Sequence, residues 1–469
     1  MKKRFKTILY VLFFVFPIIS CTINEEEEIQ KFPETTNQYD PSSPNRLDEI
    51  KPNYGVIDQT FIVNGNFEGD LSDMKVYFGE FEAVLTATNG KSITGLVPKQ
   101  PDGEREVTVV TKTDSISPGL IFDYNQSRSI KTVAGVLGED NWLDDDEYQN
   151  ADINSVTFGE VHYVATVAGN NQDNVIMVET GWGNRVFFLN IVDQEVRMLS
   201  SPRNIGAPAV PSSRDKFYAV QMRGDGWDGP DRPVYVFDKE ESWAALSTGI
   251  VIKNDDIGTK HGSSCTFAED DNLLYYMDND GRIAEINLEQ NNYKIYTAEG
   301  KKPESMDENV FGGYIRGELP ERFGGWQDSY ITYSEYHECF FASFTGEDAI
   351  YKYVKNTDDT WTVELYAGRN GEGGQTGHRL ADAQFHNPHG MVVNDRGQIF
   401  VCNRGHFINM IEEDAVEMIA GQYNTYSPLQ NGEPEDAILD QPRNLAIDFE
   451  GNYYIAGGMD RTVRKLSIE

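Results

Sequence analysis

A repeat in the C-terminal part of the chain constrains its fold more than any other feature. In residues 387–421 four short apolar runs alternate with turn residues, and residues 441–466 follow the same order of runs. Short apolar runs bounded by glycine, asparagine and proline are typical of β-strands. Each copy therefore predicts short antiparallel strands joined by turns, which is the unit from which a β-propeller is built.

The two copies also share a motif. Pro-x-Gly-apolar begins at Pro388, Gly-x-apolar-aromatic-Val begins at Gly397, and Ala-Gly ends the copy at Ala420. This pattern resembles the NHL repeat. Weaker copies lie at 152–200, 201–247, 258–299 and 328–368. The resemblance implies an all-β chain in which residues 128–469 form a six-bladed NHL-type β-propeller.

The propeller is expected to close through the first strand of the ring. The last copy stops at Ile468 without an outer strand, whereas residues 130–135 match the outer-strand motif and have no blade before them. We expect residues 130–135 to pair with the C-terminal blade. A ring closed in this way covers the sheet edges that otherwise invite aggregation.

A smaller all-β domain is expected at 49–124. Runs of period two at 61–63, 76–78, 93–97 and 107–110 are separated by Gly-Asn, Asn-Gly and Asp-Gly turns, which predicts an antiparallel sandwich. The sequences PNYG at 52–55, VNGNF at 63–67 and VYFG at 76–79 resemble an IPT/TIG domain. The resemblance implies an immunoglobulin-like spacer or interaction module without catalytic chemistry.

The N-terminal residues predict export and lipidation. A basic head and a short apolar run at 1–20 have the layout of a signal peptide, and Ile-Ile-Ser precedes Cys21 as in the lipobox of bacterial lipoproteins. Residues 21–48 are acidic and poor in apolar side chains, which predicts a flexible tether. The Glu block at 25–28 resembles the surface-export signal of Bacteroidetes lipoproteins. We expect an outer-membrane lipoprotein exposed at the cell surface, held to the membrane only by its lipid.

Charge and cysteine content exclude several classes of function. The net charge of −36 repels nucleic acid and anionic membranes, so neither is an expected partner. Cys265, Cys339 and Cys402 are widely spaced and form neither a disulfide framework nor a zinc signature. Buried free thiols are expected.

The ligand is expected to bind the propeller face that carries the long insertions, at 201–214, 300–327, 369–386 and 422–440. Turns on this face supply indole rings for stacking on sugars, together with charged groups that bond to hydroxyls. The candidate ligand-binding residues are Trp182, Arg185, Trp227, Trp326, Arg404, His406, Asp460 and Arg461. For any single tryptophan, filling a gap between blades is an equally good interpretation.

A metal site is a second hypothesis. His261 and His389 both precede glycine at the starts of first strands, and His389 resembles a zinc-binding position of the peptidyl-hydroxyglycine lyases, which share this propeller. Zinc or calcium held there would support a lyase or hydrolase. No third matching histidine is present, and a histidine held in a hydrogen-bond network is the alternative.

These features favour a non-catalytic binding protein. The predicted ligand is an oligo- or polysaccharide, and the predicted partner is a TonB-dependent outer-membrane importer. The alternatives are a metal-dependent lyase or hydrolase and a module that docks on another protein, so catalysis is left open.

Overall fold

The structure is a computed structural model that describes residues 38–101, 103–125, 128–139, 143–169, 173–180, 184–222, 231–257, 264–317, 319, 328–368 and 379–468. The chain divides into two compact units after Asn125. Within the described residues no helix is long and apolar enough to cross a membrane.

The first unit is a sandwich of two sheets. Its strands are β1 (Arg46–Lys51), β2 (Tyr54–Gly55), β3 (Thr60–Asn66), β4 (Lys75–Phe78), β5 (Phe81–Glu82), β6 (Val84–Thr88), β7 (Ser92–Leu96), β8 (Gly103–Val110), β9 (Ser115–Ile116) and β10 (Ile121–Tyr124). One sheet has the order β1-β3-β7-β6 and the other β2-β10-β8-β4-β5, with β9 paired to β8. A short 3-10 helix, Leu71–Asp73, precedes β4.

Alternate residues of the sandwich strands are buried, and their side chains form the core. Phe61 on β3 and Phe78 on β4 have their ring centres 5.1 Å apart, and Phe122 on β10 lies 4.8 Å from Phe78, both in edge-to-face geometry. All three rings are fully buried. The four strands predicted from the sequence correspond to β3, β4, β7 and β8, so the predicted sandwich is confirmed.

The second unit is a series of antiparallel meanders. Its strands are β11 (Arg128–Ala134), β12 (Ala151–Asp152), β13 (Glu160–Val167), β14 (Asn174–Thr180), β15 (Val186–Asn190), β16 (Glu195–Leu199), β17 (Lys216–Val220), β18 (Asp231–Asp238), β19 (Ala245–Lys253), β20 (Cys265–Phe267), β21 (Leu273–Met277), β22 (Ile283–Asn287), β23 (Asn292–Ala298), β24 (Phe311–Gly317), β25 (Ser329–Ser334), β26 (Cys339–Phe344), β27 (Ala349–Lys355), β28 (Trp361–Gly368), β29 (Pro388–Val393), β30 (Ile399–Asn403), β31 (Phe407–Glu412), β32 (Ala415–Gly421), β33 (Asn444–Ile447), β34 (Tyr453–Ala456) and β35 (Val463–Ile468). Its helices are α1 (Asn254–Ile257) and the 3-10 turns Asp145–Tyr148 and Leu380–Asp382.

Consecutive strands pair within the meanders β13–β16, β17–β19, β20–β23, β25–β28, β29–β32 and β33–β35. The apolar clusters of this unit show how the meanders are arranged, because each cluster takes most of its side chains from two of them. Phe341 of β26 and Val401 of β30 share one cluster, for example. The clusters connect each meander to the next, and the last connects β33–β35 back to β13–β16. The unit is therefore a β-propeller. The count of six blades stays a prediction, which this arrangement supports.

The predicted closure of the ring is confirmed. Strand β11 pairs antiparallel with β35, so that Arg128 lies opposite Ile468 and Ile130 opposite Leu466. The resulting sheet has the order β11-β35-β34-β33. It therefore joins strands from the two ends of this unit.

One insertion lies elsewhere than expected. Residues 300–327 were expected on the binding face, but β24 within them pairs in parallel with β23 and with β28. These are the outer strands of two successive meanders, and β24 joins them into one nine-stranded sheet. The expectation was wrong for Phe311–Gly317, because the backbone groups of two neighbouring outer edges were free to pair with an intervening strand.

The expected buried thiols are confirmed within the described residues, where Cys265, Cys339 and Cys402 are free and buried. Burial raises the pKa of the Cys265 thiol to about 12. These thiols therefore stay protonated at neutral pH, which makes them poor nucleophiles.

A buried carboxyl predicts an unusual dependence of stability on pH. Asp278 follows β21 and is fully buried, and its Oδ1 accepts hydrogen bonds from the backbone N–H groups of Asp280 and Arg282. Burial raises its pKa to about 7, against an opposing effect of Arg282. Because the folded pKa exceeds the unfolded value of 3.8, this group lowers stability progressively as pH rises from about 4 to about 7.

We therefore expect Asp278→Asn, which keeps the Oδ1 acceptor, to stabilise the protein by about 2–4 kcal/mol at pH 8 and to have little effect at pH 4. Urea unfolding at both pH values measures this difference. Asp193→Asn, at an exposed turn position, is the control and is expected to change stability equally little at both. A destabilised Asp278→Asn variant at pH 8 would contradict the argument.

Candidate functional site

Five short strands line the channel of the propeller. Strands β13, β20, β25, β29 and β33 each lie first in a meander, and neighbouring members of this set contact one another. First strands of propeller blades run in the same direction along the channel. Their first residues therefore gather at one end, which we call the amino mouth, and their last residues at the other, the carboxyl mouth.

A cavity of about 530 Å³ extends from the middle of the channel to the carboxyl mouth. Val164, Tyr330 and Asn444 line its inner part. Its rim is acidic and is formed by Glu269, Asp271, Glu335 and Asp395. This end of the channel therefore shares the negative charge of the whole chain.

The amino mouth differs from the acidic carboxyl mouth because arginines gather there. The strands that begin there supply Glu160 and His162 on β13 and His389 on β29, while Asp328 and Arg443 directly precede β25 and β33. Two further arginines come from turns at the same end, Arg404 between β30 and β31 and Arg461 between β34 and β35. We call these seven residues the mouth cluster. It combines three arginines with two carboxylates.

Backbone hydrogen bonds fix these segments against one another. The Gly458 N–H in the turn that carries Arg461 donates to Val161 O at 2.9 Å, between Glu160 and His162. The Gly390 N–H donates to Arg443 O at 2.8 Å. These contacts hold the mouth cluster on rigid elements, which favours a preorganised binding site.

His389 and Arg443 form the most buried part of the cluster. His389 Nδ1 lies 2.6 Å from Asn387 O, and its Nε2 lies 2.6 Å from Arg443 Nη1. Because a carbonyl oxygen can only accept and a guanidinium can only donate, Nδ1–H donates to Asn387 O and Nε2 accepts from Arg443. The ring is therefore neutral. Burial and the Arg443 charge hold the pKa of His389 well below its usual value.

The remaining charges are coupled. His162 Nε2 lies 3.2 Å from Glu160 Oε2, and this hydrogen bond, supported by the charges of Arg443 and Arg461, lowers the pKa of Glu160. Burial lowers the pKa of His162 in spite of Glu160. Partial desolvation and the charge of Arg443 also lower the pKa of Arg404. The mouth cluster thus presents cationic arginines beside a neutral histidine pair.

Comparison with known proteins concerns first the smaller unit. Residues 46–124 match the family model of the IPT/TIG domain. This segment is an IPT/TIG domain. None of the predicted ligand-binding or metal-binding residues lies in the IPT/TIG domain.

Solved structures extend the similarity over both units. A Bacteroides thetaiotaomicron structural genomics protein of unknown function is 22% identical, with 92% of this chain and 100% of that chain covered and a TM-score of 0.70. A protein described as an auxiliary nutrient binding protein from the same organism is 16% identical, covering 92% and 100%, with a TM-score of 0.56. A putative phosphatase from the same organism is 15% identical, covering 92% and 98%, with a TM-score of 0.57. Comparison with curated proteins gives no match.

Two predicted site residues hold the fold together. The Arg185 guanidinium lies 3.0 Å from Glu179 and 3.2 Å from Asp145, and packs over the Tyr148 ring at 4.7 Å. Asp460 is buried and accepts a hydrogen bond from Thr462 Oγ1 at 2.9 Å. The groups that were expected to meet a ligand therefore have partners within the protein.

Three predicted residues lie at or beside the amino mouth. Arg404 is exposed and donates from Nε to Gln441 Oε1 at 2.9 Å. His406 is buried, its Nδ1 accepts from the Gln441 N–H, and its ring packs against Tyr426. Arg461 is half-buried and belongs to the mouth cluster. Of these, the arginines are better placed than His406 to contact a ligand.

The other predicted residues lie outside the described part of the chain. These are Cys21, Trp182, Trp227, His261 and Trp326. The described partner in the predicted metal pair, His389, uses both ring nitrogens within the protein and does not fit a metal ligand in this arrangement. Among the described residues no three His, Cys, Asp or Glu side chains gather in a way that could hold a metal ion.

Sequence reasoning missed Glu160, His162, Asp328 and Arg443. For Arg443 a signal was present, because Gln441-Pro442-Arg443-Asn444 aligns with Asn387-Pro388-His389-Gly390 in the two clear repeats. The equivalent positions face each other across adjacent blades and bond directly. Glu160 and Asp328 lie in weaker copies, where no motif marks the start of the first strand.

Proposed function

We propose that this chain is a binding protein of the cell envelope that captures an extracellular glycan at the amino mouth of its propeller. The observation that carries the proposal is the mouth cluster, where charged side chains from several blades meet on rigid strand ends. Polar groups held by a rigid scaffold at the end of a channel are typical of ligand-binding sites. The similarity to a structure described as an auxiliary nutrient binding protein supports the same role.

The proposal includes the place of action. A signal peptide at 1–20, lipidation of Cys21 and an acidic tether between Cys21 and the sandwich together support anchoring in the outer membrane with the propeller outside the cell. The predicted end of the tether at 48 was too late, because Arg46 and Leu47 already belong to β1. A nutrient-binding protein in that position serves an importer, and we propose a TonB-dependent outer-membrane transporter as the partner. The ligand is an oligo- or polysaccharide that stacks on Trp182 and Trp227 while the mouth cluster bonds to its polar groups.

Binding to a glycan panel tests this proposal. We expect the purified full chain to bind at least one oligosaccharide class saturably in calorimetry, and the double variant Trp182→Ala/Trp227→Ala to bind it at least tenfold more weakly. Removing an aromatic stacking surface costs on the order of 1 kcal/mol or more per ring. Phe449→Ala is the matched control, because this exposed ring lies in the turn between β33 and β34, at the carboxyl mouth. Absence of saturable binding across neutral and acidic glycans would reject the function.

A further inference from the structure

Arg443 differs from two other arginines of the propeller whose side chains are largely buried. Arg185 pairs with the buried carboxylate of Glu179, and Arg464 pairs with that of Asp460. Arg443 is also buried, with 9% of its surface exposed. However, no carboxylate of the described residues lies within 4.0 Å of it. A buried cation without a counter-ion is costly, and proteins retain such groups mainly where they act.

The Arg443 guanidinium is also held in place and incompletely bonded. His389 accepts from its Nη1 at 2.6 Å, and Nε is buried with no hydrogen-bond partner among the described residues. A neutral imidazole is an unusual partner for a guanidinium, because it orients the group without neutralising it. Arg443 therefore keeps its charge and has one donor, Nε, without a partner among the described residues.

The surroundings add further positive charge at this point. The exposed Arg404 guanidinium is held by Gln441, two residues before Arg443, and Arg461 lies on the turn whose Gly458 bonds to β13. The charges of Arg443 and Arg461 both lower the pKa of Glu160, yet among the described residues the side chain within 4.0 Å of its carboxylate is the neutral His162, at 3.2 Å. Asp328 balances part of the charge. Within the described residues of the mouth cluster, the three arginines thus outnumber the two carboxylates, on a chain of net charge −36.

We propose that the amino mouth binds an anionic group of the glycan, a carboxylate or a sulfate ester, which becomes the counter-ion of Arg443. This inference rests on the proposed function and specifies its ligand class. Arg404 forms one side of the anion site, and His389 is the positioning residue that orients the Arg443 guanidinium.

The net charge of the chain also limits the ligand. A densely charged polyanion is repelled by the protein as a whole before it reaches three arginines, since uncompensated like charge opposes association at ordinary ionic strength. An oligosaccharide with isolated anionic groups is repelled less by the protein as a whole, and its anionic group can still pair with Arg443. The site therefore selects sugars with sparse acidic substituents.

Matched probes test the proposal. We expect the full chain to bind an oligosaccharide with one uronic acid, or its counterpart with one sulfate ester, at least thirtyfold more tightly than the neutral parent sugar. Comparison of the two acidic probes identifies which anion is recognised. In Arg443→Gln this preference is lost, so that the acidic and the neutral sugar bind with equal affinity. Arg396→Gln is the control, because Arg396 is exposed in the turn between β29 and β30 at the carboxyl mouth.

A second variant covers the case in which Arg443→Gln does not fold. Arg404→Gln changes an exposed side chain and is expected to reduce the preference for the acidic sugar about fivefold, with an unchanged melting temperature. Equal affinity for acidic and neutral sugars in the wild-type protein would overturn this inference and leave the proposed function standing. Failure to bind any sugar would instead reject the proposed function.

Discussion

Replacing Ile130 by aspartate is expected to lower the free energy of unfolding of the propeller by about 3–5 kcal/mol. Ile130 lies on the closing strand β11, is fully buried, and shares a core cluster with Leu466, Ile455 and Phe400. Its backbone also exchanges hydrogen bonds with Gly432, at 2.8 and 3.0 Å. An aspartate there removes apolar contacts and places a carboxylate among aliphatic side chains.

Urea unfolding followed by circular dichroism measures the loss, and limited proteolysis shows where it acts. Cleavage is expected first within 422–468, because β35 loses its outer partner. The matched control is Lys131→Ala, one residue along the same strand with an exposed side chain, which is expected to change stability by no more than about 0.5 kcal/mol. If Ile130→Asp unfolded at the wild-type urea concentration, ring closure by β11 would not contribute to stability.

The second large effect is expected at Arg464, which is completely buried. Its guanidinium donates to Ile438 O at 2.7 Å, to Asn431 Oδ1 at 2.9 Å and to Gln430 O, and lies 3.4 Å from Asp460. Arg464 therefore connects the last blade, through hydrogen bonds, to the segment between β32 and β33. Arg464→Met is expected to cost about 3–5 kcal/mol, because it leaves a buried carboxylate without its counter-ion.

The double variant Arg464→Met/Asp460→Asn separates the ion pair from the other contacts. We expect it to recover at least 1 kcal/mol relative to Arg464→Met, which a double-mutant cycle measures as coupling. Burial raises the pKa of Asp460 to about 6 although Arg464 opposes the rise, so loss of Arg464 raises this pKa further. Arg464→Met is therefore less damaging at pH 5 than at pH 8.

Arg316→Met provides the control for loss of an arginine. Its side chain is 55% exposed, and its contacts with Glu299 and Asp358 are 3.8 and 3.6 Å long. Surface pairs of this kind contribute little, so a change of no more than about 0.5 kcal/mol is expected. Equal losses for Arg464→Met and Arg316→Met would contradict the role assigned to the buried network.

Local sequence was sufficient to predict much of the fold. Strict alternation around Phe61 and Phe78 predicted the sandwich, and the unpartnered outer-strand motif at 130–135 predicted the pairing with β35. Both signals are local sequence patterns, and each is compatible with one arrangement of the strands. By contrast, β24 has no repeat motif, and its position depends on free edges that only the assembled meanders create.

The candidate site was predicted less completely for a physical reason. Arg404 and Arg461 were identified because they lie in turns of clear repeats. Asp460 was identified on the same ground, and Arg185 was identified from the matching turn of a weaker copy. Both are neutralised within the protein, by Arg464 and Glu179, and such pairing depends on side-chain geometry that spacing does not give. Arg443 was missed because its significance lies in the lack of a carboxylate partner, a property of the folded protein alone.

The pairing of β11 with β35 has a consequence for biosynthesis. The ribosome synthesises β11 early and β35 after every other strand of the propeller. In the growing chain the edges of β11 and β34 that pair with β35 therefore stay unpaired until synthesis of this unit is nearly finished. A chain truncated before β35 lacks the strand that β11 pairs with. Such a product exposes unpaired strand edges, so a truncated propeller is expected to be recognised by chaperones and proteases more readily than the full-length one.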